Sequence, residues 1–355
     1  MPQVLTLPAQ YPASWMFLHD VHFASLMDGR LALVDLAAGS SNLKAQVPAS
    51  QLAGFLMSAA RRELYVAETF YSRGTRGERL DVVTIHDMAT LSIKGEIVLP
   101  PGKRGLFIPL KTTFQMSGDG RYAFLFNFTP AASVTMIDLQ ERRVVRDIDV
   151  PGCALIYPTG ARNFATLCSD GTLSTIEISD TAAVASQEQS ERFNDVDRDP
   201  MFMFHAMLDG VAYSPTFLGD VRPIDLRGRQ ARVLPAWPLA SHEERASGWR
   251  PSGWQVVAGN DQNRLYVLMQ PDGQEGSHKQ GGTEVWVYDV VARKRLQRIA
   301  LTQRSTSIEV TRGPKPRLAA IRGPVVDVYD AATGQLERSI GALIAHDPLV
   351  LHATP

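Results

Sequence analysis

Three observations predict an all-β fold, a seven-bladed β-propeller formed by residues 1–355 as one domain. A short β-branched or aromatic run ending in an acidic residue recurs seven times along the chain. Its anchors, Asp35, Asp87, Asp138, Glu177, Asp225, Asp289 and Asp330, stand about 49 residues apart on average, the period of a four-stranded blade. Helical periodicity is weak, and the 27 Gly and 22 Pro are scattered as turn signals rather than repeated. A sandwich, or a pair of them, also accommodates alternating strands. The count of seven and the recurring spacing favour the ring.

The elements follow in order. The first copy holds Trp15–Leu18 and Leu31–Asp35 but lacks an inner strand ahead of Trp15. Pro348–His352 has no partner within its own copy, so it is expected to become that strand and to close the ring without a free edge. In the third copy, Ser117-Gly118-Asp119-Gly120 is a turn between the first two strands. The sixth copy reads as Trp254–Ala258, Arg264–Met269, Glu284–Tyr288 and Leu296–Ile299. The seventh reads as Ser307–Val310, Arg317–Ile321, Val325–Tyr329 and Leu336–Ile340, with a hairpin turn over Asp330–Gly334. The one helix expected is Leu239–Gly248, where Ser241 and Glu244 have the spacing of a capping box.

The two cysteines flank a hairpin. Folding Ala154–Tyr157 onto Phe164–Leu167 about Gly160–Ala161 sets Cys153 opposite Cys168, Leu155 opposite Thr166 and Tyr157 opposite Phe164. Directly opposed residues of that kind lie ~4.5 Å apart at Cα, within reach of a disulfide. The bridge implies an oxidising compartment; the alternative is two buried free thiols. Met1–Pro12 carries neither a basic nor an apolar targeting segment, which leaves a cytosolic protein or a periplasmic one whose leader was removed.

Charge nearly cancels, with 36 Lys+Arg against 37 Asp+Glu, which disfavours a nucleic-acid binder. No apolar run approaches the ~18 residues of a membrane span. Self-sufficient catalytic motifs are missing: there is no G-x-S-x-G elbow, P-loop or G-x-G-x-x-G. His19 and His22 with Asp20 do not converge well as metal ligands on a strand and loop. Asp195, Asp197 and Asp199 lack the Gly and Glu of a calcium loop and read as a solvated loop between blades.

Longer stretches carry a resemblance. Gly248-Trp249-Arg250-Pro251-Ser252-Gly253-Trp254-Gln255, Pro271–Lys279, Ser72–Arg79 with Asp81-Val82-Val83, Asn127–Ala131 and the pair Cys153…Cys168 resemble the heavy subunit of quinoprotein amine dehydrogenases. The similarity runs from Val4 to His352, and Pro271–Lys279 leans toward the aromatic amine branch of that family. The resemblance implies a seven-bladed propeller in a periplasmic tetramer of two heavy and two light subunits. It also implies that tryptophan tryptophylquinone and the catalytic Asp base belong to the light subunit. Primary amine is oxidised there to aldehyde and ammonia through a Schiff base, and electrons leave to a blue copper protein such as azurin or amicyanin. The five Trp of this chain are then core or interface aromatics.

In that family an aromatic on the loop before the second blade reaches toward the quinone. Its position falls on Gln51, with Leu52 beside it and Phe55 four residues after Gln51. A polar Gln in place of Phe is a departure that bears on substrate preference. Trp249, Arg250, His278 and Lys279 are candidates for the subunit interface, with an internal blade brace as their competing role. A solitary propeller scaffold is the alternative function. An independent propeller enzyme such as a lactonase would need metal ligands at the channel, and no carboxylate and His cluster is visible for it.

Overall fold

The structure, a computed structural model, describes residues 6–37, 39, 42–341 and 346–354. Met1–Leu5, part of the stretch read for a leader, lie outside the described residues. Seven antiparallel sheets form the blades of a β-propeller. The second blade is typical, running outward through Gly54–Ser58, Glu63–Tyr71, Arg79–Asp87 and Ile93–Val98. Middle strands are buried on both faces and outer strands are mostly exposed, as in Arg30–Asp35 against Val184–Gln189. Apolar side chains pack between neighbouring blades: Phe124 of the third meets Phe164 of the fourth at 4.8 Å between ring centroids.

The acidic anchors have a local physical role. Six of them end a third strand and turn the chain into the fourth, because their carboxylate accepts backbone N–H groups two or three residues on. Asp87 Oδ1 accepts from Ala89 and Thr90, Asp138 Oδ1 from Gln140 and Glu141, and Asp330 Oδ1 from Ala332 and Thr333. Such Asx turns fix a tight hairpin without glycine. At the degenerate fourth copy Glu177 is two residues early, and Ser179 makes the turn instead, its hydroxyl accepting from Ala183 N–H at 3.1 Å.

The chain end closes the ring. Pro348–Ala353 pairs antiparallel with Trp15–Asp20, setting Leu18 against Leu351 and Phe17 against His352. Asp20 fastens the junction further, accepting from the N–H groups of His22, His346 and Asp347 at 2.9–3.1 Å.

Cys153 and Cys168 face each other and are joined by a disulfide. Beyond them the hairpin departs from the simple fold-over. Leu155 adopts φ 64° in a bulge, so Tyr157 pairs with Ala165 and Pro158 with Phe164. An extra residue on one strand shifts every later pair by one, which a count from the turn cannot register. The sixth blade also differs from expectation. Its inner strand is Val257–Gly259, with Arg250–Pro251 as a second short piece, while Trp254 and Gln255 leave the sheet to make contacts across the axis. The helix is shorter than its signal, His242–Ala246, and carries the full capping box of Ser241 and Glu244.

Candidate functional site

A propeller gathers its loops on two faces. Strand direction puts the blade-to-blade linkers and the loops between second and third strands on one of them. That face receives the Gln51–Leu52 turn, the Ser72–Glu78 loop, Asn127–Ala131, Gly248–Gln255, Pro271–Lys279 and the disulfide. Every stretch that carried the resemblance therefore stands on one side of the disc.

This side is also the apolar one. Phe23, Met27, Phe70, Leu80, Leu106 and Phe128 are exposed along blades one to three, Phe128 to 68%. On the opposite face, among the described residues, Met207 and Val291 are exposed, with Ile93, Val184, Leu296 and Leu336 at that end of the outer strands, whereas the exposed aromatics Phe23, Phe70 and Phe128 all stand on the first face. Exposed apolar groups concentrated on one side mark an interaction surface.

The central channel is capped on the same side. The linker from the second to the third blade crosses the axis to the far blades. Lys111 is ion-paired with Glu309 of the seventh blade, Trp254 Nε1 donates to Pro109 O at 3.3 Å, and Thr112 Oγ1 donates to Met203 O at 3.0 Å. Beneath this cap lies a cavity of about 380 Å³ whose walls include Phe55, Phe114, Phe204 and His352.

The three channel candidates separate. Gln51 and Leu52 form a turn at the rim, Gln51 with its side chain largely buried at 7% exposure. Leu52 lines a small crevice with Arg104, Phe107 and Phe126. Phe55 lies apart, inside the ring, its edge against Phe17 and His352 at 5.0 and 4.9 Å. Sequence reasoning missed Arg104, which is 4% exposed and donates to the carbonyls of both Gln51 and Leu52. A lone Arg 53 residues downstream of Gln51 gives no local signal of that contact.

The four interface candidates also divide. Trp249 packs on Trp286 at 5.0 Å beneath the guanidinium of Arg298. Arg250 and His278 line one crevice of about 600 Å³ with Phe217, Leu218 and Glu275. His278 is stacked on Phe217 at 4.2 Å, and burial and then neighbouring Lys279 hold its imidazole below the usual range. Lys279 is exposed. The two long motifs around them lock together: Gly273 N–H donates to Gly248 O, and Gly253 N–H to His278 O, both at 2.8 Å. A Cβ on Gly248 would lie 2.7 Å from Pro271 O, which explains the glycine.

Comparison with known proteins decides the family. Residues 19–354 match the family described as "Methylamine dehydrogenase heavy chain (MADH)". The chain belongs to the methylamine dehydrogenase heavy chain family. Its relatives include the methylamine dehydrogenase heavy chain of Methylophilus methylotrophus, 30% identical over 86% of this chain and 75% of that one. The heavy chain from Methylorubrum extorquens is 27% identical over 98% of this chain and 85% of the relative. Among solved structures, dihydro-heme d1 dehydrogenase NirN superposes with a TM-score of 0.56 at 14% identity, covering 99% of this chain and 77% of its own, which shows the fold alone.

As a heavy chain of an amine dehydrogenase, the protein is part of an oxidoreductase. Three of its five tryptophans are core aromatics. Trp15, Trp237 and Trp286 are buried, and the Trp249–Trp286 pair is sealed by Arg295 and Arg298. Among the described residues no group of three or more His, Cys, Asp or Glu is arranged to hold a metal ion.

Proposed function

We propose that this chain is the large, noncatalytic subunit of a periplasmic quinoprotein amine dehydrogenase, assembled as two heavy and two light subunits. A light subunit bearing tryptophan tryptophylquinone docks on the apolar face, where the chain excludes water around the quinone and shapes the substrate channel through the Gln51–Leu52 turn. The substrate is a primary amine, oxidised to aldehyde and ammonia, and electrons pass on to a blue copper protein. The Pro271–Lys279 stretch favours an aromatic amine, whereas the names of the relatives favour methylamine. The disulfide supports an oxidising compartment.

One observation carries the reading: the exposed apolar side chains and the Gln51–Leu52 turn share a face. Docking a charge there must desolvate it without a partner. Phe128→Asp is expected to weaken association with the light subunit at least tenfold in a pull-down titration and to leave the melting temperature within about 2 °C. Val291→Asp, on the opposite face, is the control. Equal association by both variants would place the light subunit off this face, and no association by the unmodified chain would favour the solitary scaffold reading instead.

A further inference from the structure

The turn at the channel rim is held in an uncommon backbone. Gln51 and Leu52 have φ 57° and 55°, two consecutive left-handed residues of which neither is glycine. Those are the φ signs of a type I′ turn, which normally takes Asn-Gly. Such a conformation persists only when its surroundings impose it, and it concentrates at functional sites.

The surroundings here are a buried clamp. The Arg104 fork donates from Nη1 to Gln51 O at 3.2 Å and from Nη2 to Leu52 O at 2.6 Å. Nη1 also donates to Thr69 Oγ1 at 2.7 Å, and that hydroxyl donates to Asp81 Oδ1 at 2.6 Å. Arg79 ties the assembly together, donating to Arg104 O at 2.6 Å and to Asp81 Oδ1 at 3.0 Å. From the other side Glu68 accepts Ser50 N–H at 2.9 Å and the Thr84 hydroxyl at 2.7 Å. Two guanidinium groups and two carboxylates balance in charge. Burying a cation to hold two loop carbonyls carries a desolvation cost, and this turn carries two of the three channel candidates, Gln51 and Leu52.

We propose that Arg104 is a positioning residue for the substrate channel: its guanidinium fixes the backbone of Gln51 and Leu52, and so sets where the Gln51 side chain stands at the channel entrance. This rests on the function proposed above. Lysine keeps the charge but presents no rigid fork to two carbonyls. Glycine at position 52 adopts the required φ unaided.

The test uses the complete complex, with benzylamine and methylamine as probes. Arg104→Lys is expected to change the ratio of their kcat/KM values roughly tenfold, the size of a modest change in pocket shape. Leu52 is itself a channel candidate, so Leu52→Gly serves as its own reference: relative to it, adding Arg104→Lys is expected to change the ratio by no more than about threefold, because glycine holds the turn without the clamp. Hydrogen exchange at the 50–53 amides of the isolated chain follows the same order, faster by roughly tenfold in Arg104→Lys and recovered in the double variant. If Arg104→Lys does not fold, Thr69→Val, which removes the hydroxyl that holds Nη1, replaces it with a threefold change expected. A role in stability alone would lower both amines together, as much in the Leu52→Gly background as without it, and would overturn the proposal. Absence of amine turnover by the unmodified complex would instead overturn the function on which it rests.

Discussion

His19 and His22 sit three residues apart, yet the strand end sends them to different places. His19 is 1% exposed beside His352, at 6.2 Å between ring centroids, and its Nε2 has no hydrogen-bond partner. His22 is stacked on His346 at 4.2 Å. The two imidazoles do not share a ligand. Burial pushes the His19 pKa down to about 4, with Asp20 opposing and Arg104 assisting. The sign of the linkage follows. The folded pKa lies below the unfolded value of 6.5, so as pH falls below 6.5 the unfolded chain takes up the proton first. Stability is then lost progressively until pH reaches the folded value. At pH 5 this amounts to about 2 kcal/mol. His19→Phe, which fills the site without a titrating group, is expected to flatten the fall in melting temperature between pH 7 and pH 5. Parallel curves for the two proteins would show that His19 does not carry that dependence.

Among the strands and turns, what was legible in the sequence is what local chemistry fixes. Alternation gave the strands of the seventh blade to within a residue. Six of the seven acidic anchors were visible because each makes its own turn within two or three residues. Pro348–His352 was visible as the partner missing from the first blade, one residue short of the strand that forms. The bulge at Leu155 and the departure of Trp254 and Gln255 from their sheet were not. Gln255 is drawn out by Glu309 and by the backbone of Leu351, 54 and 96 residues away, and no short-range pattern encodes such contacts. The closing strand makes the most direct test of element-level cooperativity. Deleting residues 346–355 strips the inner strand from the first blade and removes two of the three backbone partners of Asp20. The melting temperature of the whole ring should fall by more than about 10 °C in a single transition. An unchanged melt would mean that the ring does not depend on this pairing.

Taken whole, the molecule is a rigid disc with unequal sides. One bears the apolar loops, the capped axis and the clamped turn at Gln51–Leu52; the other bears short Asx hairpins. The candidate site was legible only in part, because the motifs that announce the family are largely consumed in locking loops of the sixth blade together, and Arg104 acts through space. On the function proposed above, the chemistry belongs to an associate, and recognition and shielding belong to this chain. The most direct test is amine turnover measured on the purified chain alone and again after reconstitution with the light subunit, using a dye acceptor. The account predicts no turnover by the chain alone, and turnover accompanied by a quinone absorption band once the associate is present. Oxidation of a primary amine by the unaccompanied chain would contradict it.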